Sequence, residues 1–205
     1  VTEHLHQPAT PSGEGIVLTH GAGGSANAPL LVALAVAFAE RGLTVLRYDL
    51  PFRQANRTAP PRPAGSAKDR EGLRSAVASL RAVVHGRVFL GGQSYGGRQA
   101  SLLAAADSGV VDALLLLSYP LHPPRPGAEQ RTAHLPDIKT PTLFAHGSRD
   151  PFGTLEELEA ARRLIPAPTA LLAIPGAAHD LFRAPRRAGA DIATEIVAAF
   201  LELVR

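Results

Sequence analysis

No cysteine occurs in the 205 residues of this chain, which excludes disulfides and thiolate metal sites. That composition fits a reducing compartment, and a cytoplasmic location is expected. Long apolar runs are also missing. The most apolar stretch, Ala28 to Ala39, is Ala-rich and too short to span a bilayer, so it reads as a buried helix. No membrane partner is expected. Residues Val1-Thr2-Glu3-His4-Leu5-His6 show neither the charged nor the apolar region of a secretory signal. Lysine stands only at positions 68 and 139, so arginine supplies nearly all the positive charge behind the net +3. Those arginines are scattered, the longest blocks being Arg162-Arg163 and Arg186-Arg187. A nucleic-acid face would concentrate them among aromatics, and no nucleic-acid partner is expected. The His, Asp and Glu residues form no cluster with ligand spacing, so neither a metal nor another cofactor is expected. There is no internal repeat and no linker. The length fits one domain, residues 1–205.

What is present is an alternation of short apolar runs and helical patterns. Strands are expected near 15–19, 44–48, 87–91, 113–118, 141–146 and 169–174. Helices are expected near 28–41, 68–85, 97–106, 154–165 and 188–204. Such alternation implies an α/β fold, a mainly parallel sheet of about six strands with helices on both faces. The strands are continuously apolar, as when both sheet faces are covered. Two segments break the rhythm. Residues 51–67, with Pro51, Pro60, Pro61 and Pro63, read as a surface loop. Residues 119–141, with Pro120, Pro123, Pro124, Pro126 and Pro136, leave room for a short lid only.

The most informative stretch is Gly92-Gln93-Ser94-Tyr95-Gly96. It follows the apolar strand Arg87-Val88-Phe89-Leu90-Gly91 and precedes the helical run from Gly97 to Ala106. A serine on a sharp turn between strand and helix is a nucleophile elbow. Side chains two residues either side would clash with neighbouring backbone, and Gly92 and Gly96 have none. The helix beyond aims its free N–H groups and positive end at the place where negative charge develops.

An elbow of this kind needs an acid and then a histidine, in that order along the chain, each after a later strand. Of the eight histidines only His179 lies beyond residue 150, in a small-residue loop after Ala170-Leu171-Leu172-Ala173-Ile174. Asp150 follows the preceding strand, Thr142-Leu143-Phe144-Ala145-His146. The segment after Leu114–Leu117 offers no acid before Glu129, and Asp180 is adjacent to His179, which points the two side chains apart. The expected triad is therefore Ser94, Asp150 and His179: nucleophile, orienting carboxylate and general base.

Oxyanion donors are expected from the backbone N–H of Tyr95 and from Ala22, in the turn after the strand Gly15-Ile16-Val17-Leu18-Thr19. The turn His20-Gly21-Ala22-Gly23-Gly24 lets backbone approach a substrate closely, which makes Gly21 and Gly23 candidate contacts. His20 is assigned a structural hydrogen bond. Tyr119, His122 and His134 in the lid are further candidates for substrate contact, as are Phe52 and Phe182 for an acyl pocket. Asp49 and Arg98 are candidates for an ion pair near the site.

Four stretches carry a resemblance: Thr19 to Gly24, Gly92 to Arg98, Ser118 to Pro124 and His146 to Gly153. Together they resemble small bacterial α/β-hydrolases of the dienelactone-hydrolase-like group. A related domain occurs in testis-expressed and chromatin-complex proteins of animals. The resemblance implies a Ser-His-Asp hydrolase without the extra N-terminal strands of larger relatives. Dienelactone hydrolases proper use a cysteine nucleophile, and this chain has none, so their substrate is not carried over. The reading is a serine hydrolase acting on a small-molecule acyl substrate, a carboxylic ester or thioester. Acyl transfer and peptide cleavage use the same triad, and a binding scaffold with this fold is the reading from another class.

Overall fold

The computed structural model describes residues 3–125, 127–184 and 187–205. In chain order the elements are β1 (Glu3–His6), β2 (Gly15–Thr19), α1 (Pro29–Glu40), β3 (Thr44–Tyr48), α2 (Pro51–Ala55), α3 (Ser66–Arg81) and β4 (Val88–Gln93). They continue with α4 (Tyr95–Ala106), β5 (Leu114–Leu117), β6 (Thr142–Gly147), α5 (Leu155–Arg162), β7 (Thr169–Ile174) and α6 (Gly189–Leu203). Seven strands form one sheet in the order β1-β3-β2-β4-β5-β6-β7. All neighbours pair in parallel except β1 with β3.

Successive side chains of a strand point to opposite faces, and the central strands feed two separate cores. Ile16, Leu18, Leu115 and Leu117 pack with α1 and α6, whereas Val17, Leu114 and Leu116 pack with α3, α4 and α5. Phe200 of α6 anchors the first core. Its ring stands edge-on to Phe38 at 5.8 Å and to Phe89 at 5.3 Å, and all three are fully buried. The parallel register lines up Thr19 with Gly92, Gln93 with Leu117, and Gly147 with Ile174. The loops leaving β2, β4, β6 and β7 therefore emerge at one edge of the sheet, where ligands bind in open α/β folds.

The structure departs from the sequence expectations in two places. The sheet has seven strands, because β1 adds an antiparallel edge. Leu5, its one apolar residue, is 46% exposed, so β1 is held by its hydrogen-bond ladder to β3 and not by burial. Residues 51–67 are not simply a loop. They contain α2, a 3₁₀ turn at Pro63–Gly65, and the start of α3. Pro51 is preset for the first turn of α2, and the buried Asp69 accepts the Phe52 N–H at 3.0 Å.

The 119–141 segment, expected as a short lid, holds one 3₁₀ turn among its described residues, Leu135–Asp137. Its aromatic and imidazole side chains fasten it down instead of facing a substrate. Tyr119 is fully buried edge-on to Phe144 at 5.8 Å, and its hydroxyl donates to the Arg131 carbonyl at 2.8 Å. His122 donates from Nδ1 to the Pro123 carbonyl at 2.8 Å and meets Glu157 of α5 at 3.2 Å. His134 Nε2 lies 2.8 Å from Ser101 Oγ on α4, and that hydroxyl donates onward to the Arg98 carbonyl at 2.9 Å. Burial, aided by the Arg98 charge, lowers His134 from 6.5 to about 4.

Two outcomes follow. Phe200→Ala should lower unfolding stability by about 3–5 kcal/mol in urea titration, the usual loss for an aromatic in a close-packed core. An unchanged midpoint would mean α6 is not packed as described. Between pH 6.5 and about 4 the unfolded chain holds more protons at His134 than the folded one, so stability falls as pH drops through that window. His134→Gln should make that fall shallower in a pH series of melts; an identical slope would remove His134 from the balance.

Candidate active site

Ser94 sits between β4 and α4 with φ 49° and ψ −114°, a left-handed conformation that a side chain makes unfavourable. The surroundings impose it. Its N–H donates to the Leu117 carbonyl at 2.8 Å, and its carbonyl accepts the Arg98 N–H at 2.9 Å. A Cβ on Gly92 would stand 2.5 Å from backbone atoms of Gly96 and Gly97, and one on Gly96 would stand 2.5 Å from the His20 carbonyl. Both glycines are required by close backbone approach.

Asp150 lies in the turn after β6, its carboxylate fully enclosed. Oδ1 accepts the Phe152 N–H at 2.9 Å, and Oδ2 accepts His179 Nδ1–H at 2.8 Å. With its proton on Nδ1, the imidazole presents Nε2 as an acceptor, 2.8 Å from Ser94 Oγ. The His179 carbonyl accepts from Ser118 Oγ at 2.9 Å, and Ser118 is the other non-glycine residue with positive φ (46°) among the described residues. The Phe152 ring lies 4.3 Å from the His179 ring. His146 Nε2 is 3.6 Å from the same carboxylate, but its proton goes to the Gly153 carbonyl at 3.0 Å. Burial lowers the His146 pKa, and its Nδ1 is enclosed without a partner, so that ring is neutral.

The loop after β2 runs beside the serine: a Cβ on Gly21 would stand 3.3 Å from Ser94 Cβ. His20 is fully buried and fixes this loop. Its Nδ1–H donates to the Gly21 carbonyl at 2.8 Å, and its Nε2 accepts the Leu50 N–H at 3.1 Å. Burial lowers its pKa, which keeps the ring neutral beside Asp49. The Gly21–Ala22 peptide is trans, so anchoring its carbonyl points the Ala22 N–H the opposite way. The Ala22 carbonyl is held in turn by Arg53 Nη2 at 2.7 Å. Ala22 and Tyr95 both border the cavity around Ser94, and neither N–H has a partner among the described residues.

That cavity encloses about 920 Å³. It is broader than a short lid alone would wall, because Ala28, Pro29 and Leu30 at the start of α1 and Phe152 after β6 also line it. Gly21 and Gly23 border it. Tyr119, His122, Phe52 and Phe182 do not line it. Phe52 stands edge-on between His20 and Tyr95, with centroids 5.6 Å from each, and Phe182 closes over Gly189 in the α1–α6 core. Tyr95 turns its hydroxyl away to Asp69 at 2.7 Å, and burial together with that carboxylate raises its pKa. Asp49 accepts the Ala26 N–H at 2.6 Å, whereas Arg98 lines the cavity. Phe152, Arg98, Gln99 and Arg131 are among the lining residues that sequence reasoning missed as such. The one available signal was position: Phe152 is two residues past the acid, and Arg98 is one helical turn past the serine. Among the described residues no three His, Asp or Glu gather to hold a metal, and no helix is long and apolar enough to cross a membrane.

Comparison with known proteins agrees with this architecture. The structure is similar to an alpha-beta serine hydrolase homologue from Coxiella burnetii, with a TM-score of 0.77 at 19% identity over 96% of this chain and 90% of that one. It is similar to Est1E from Butyrivibrio proteoclasticus, solved with ferulic acid bound, with a TM-score of 0.74 at 18% identity over 98% and 94%. A dienelactone hydrolase from Anabaena variabilis gives a TM-score of 0.77 at 26% identity over 99% and 92%. The family model for the alpha/beta hydrolase domain matches residues 12–204, nearly the whole sequence, and the chain belongs to that family.

Proposed function

We propose that this protein is a serine hydrolase that cleaves small carboxylic esters or thioesters through an acyl-enzyme. The observation that carries the reading is the unbroken chain Asp150–His179–Ser94, closed by two contacts of 2.8 Å at the mouth of a cavity. His179 takes the Ser94 proton as Oγ attacks the acyl carbon, and Asp150 holds the imidazole and stabilises the imidazolium. The oxyanion that forms meets the Ala22 and Tyr95 N–H groups, with the α4 N-terminus behind them. His179 then protonates the leaving alcohol or thiol. Water, activated by the same imidazole, attacks the acyl-enzyme and releases the acid. Acyl transfer and peptide cleavage differ only in the attacking or leaving group. The dienelactone hydrolase among the similar structures, at 26% identity, supports ester chemistry. A pure scaffold has no need to keep these three side chains in contact. The absence of cysteine supports a cytoplasmic location as part of the same reading. The same reading includes kinship with the animal testis-expressed and chromatin-complex domains, on the resemblance of the four sequence stretches.

Ser94→Ala and His179→Ala should each lower kcat on a p-nitrophenyl ester by roughly 10⁴–10⁶, because the triad acts as a unit. Asp150→Asn should cost a similar or smaller factor. A fluorophosphonate probe should label the wild type at Ser94 and leave Ser94→Ala unlabelled. Unchanged turnover in Ser94→Ala would falsify the mechanism. Absence of both labelling and turnover in the wild type would favour the scaffold.

A further inference from the structure

Three arginines border the cavity, Arg62, Arg98 and Arg131, against one acidic residue, Asp180. Asp180 is already engaged, its Oδ1 accepting the Phe182 N–H at 3.1 Å and its Oδ2 lying 3.4 Å from Arg183. Arg98 and Arg131 are both half-buried, and neither forms an ion pair with a carboxylate among the described residues. Other part-buried arginines of this chain do meet acids, Arg162 with Glu159 at 2.6 Å and Arg187 with Glu195 at 2.5 Å. The cavity pair is different. Burial and the Arg98 charge lower the Arg131 pKa, so the two cations feel each other without an anion between them.

Their hydrogen bonds leave capacity for a ligand. Arg131 uses Nη1 on the Pro120 carbonyl at 3.0 Å, and Arg98 Nε is enclosed with no partner. Gln99, fully buried on the same wall, has its Oε1 held by Ser66 at 2.9 Å and Arg70 at 3.1 Å, while its Nε2 has no partner. Two cations in a partly desolvated pocket favour an anion, and a planar guanidinium matches the two oxygens of a carboxylate. Arg98 lies four residues beyond Ser94, and its N–H donates to the Ser94 carbonyl. Arg98 therefore lies in the first turn of the helix that Ser94 caps, about 6 Å of rise from it.

We propose that the cavity selects esters bearing a carboxylate, held by Arg98 and Arg131, with a short spacer between that carboxylate and the carbonyl attacked by Ser94. This rests on the hydrolase reading above. The carboxylate can belong to the acyl part, as in a hemiester of a short dicarboxylic acid, or to the alcohol part. Two matched pairs separate these sources: monoethyl glutarate against ethyl pentanoate, and 3-butanoyloxypropanoate against propyl butanoate, each followed by acid release in a pH-stat. In at least one pair the anionic ester should have the higher kcat/KM by roughly tenfold or more, the scale of a charge-assisted hydrogen bond. Arg98→Gln and Arg131→Gln should each shrink that ratio. A general loss of structure would lower both members of a pair together and leave the ratio in place. A ratio at or below one in both pairs, or a ratio untouched in both variants, overturns the proposal. Calorimetric titration of glutarate into wild-type and Arg98→Gln protein reads the site without turnover. Binding that is lost in the variant, with no hydrolysis of any ester, keeps the anion site and removes the hydrolase reading. Hydrolysis of neutral esters with no glutarate binding does the reverse.

Discussion

The loop that carries His179 reaches Ser94 because no side chain projects from Gly147. A Cβ there would collide with the carbonyls of Ala177 and Ala178, so the end of β6 and the loop after β7 touch backbone to backbone. The contact is then stitched: Arg149 N–H donates to the Ala177 carbonyl at 2.9 Å, and Gly176 N–H to Ser148 Oγ at 2.9 Å. Asp150 and His179 each lie within three residues of this junction. A shift of one ångström here would open the imidazole–carboxylate contact, and with it the register of the ring on the serine. The strained Ser118, bonded to the His179 carbonyl, supports the junction from β5.

Around this frame the structure separates two enclosed histidines from the partly exposed one that reaches the serine. His20 and His146 are fully enclosed, and burial holds both neutral. Each uses an N–H to pin a carbonyl, Gly21 in one case and Gly153 in the other. A neutral ring in these places leaves the Asp150 charge to His179, whose side chain is 28% exposed. Three imidazoles lie near the site, and only one of them touches the serine.

Much of this was legible in the sequence because it follows from local rules. The elbow, the Asp150 turn and the His179 loop each stand directly after an apolar strand, and chain order relates them. Burial on both faces of the sheet made the parallel strands continuous apolar runs. The polar strand β1 escaped notice because its stability comes from backbone pairing, which leaves no periodicity to read. The proline-rich segment 51–67 looked like loop because Asp69, which accepts the Phe52 N–H at the start of α2, lies outside it. Side-chain direction was the least legible. Tyr119, His122 and His134 occupy the lid, but whether a lid residue faces inward to the core or into the cavity depends on contacts 33 to 35 residues away for the two histidines. The ring of Phe152 on His179 is equally invisible in a sequence.

Asp69 has a reach that its place in α3 does not suggest. One carboxylate, 1% exposed, accepts the Phe52 N–H of α2 through Oδ1 and the Tyr95 hydroxyl of α4 through Oδ2. Tyr95 is the residue after Ser94, and α2 presents Arg53 to the Ala22 carbonyl. Both halves of the proposed oxyanion pocket are therefore tied to a single side chain that makes no contact with Ser94 or His179. In a pool of random variants scored for growth or colour, position 69 would behave like part of the active centre, and a variant there would be hard to tell from a lost nucleophile without a binding assay.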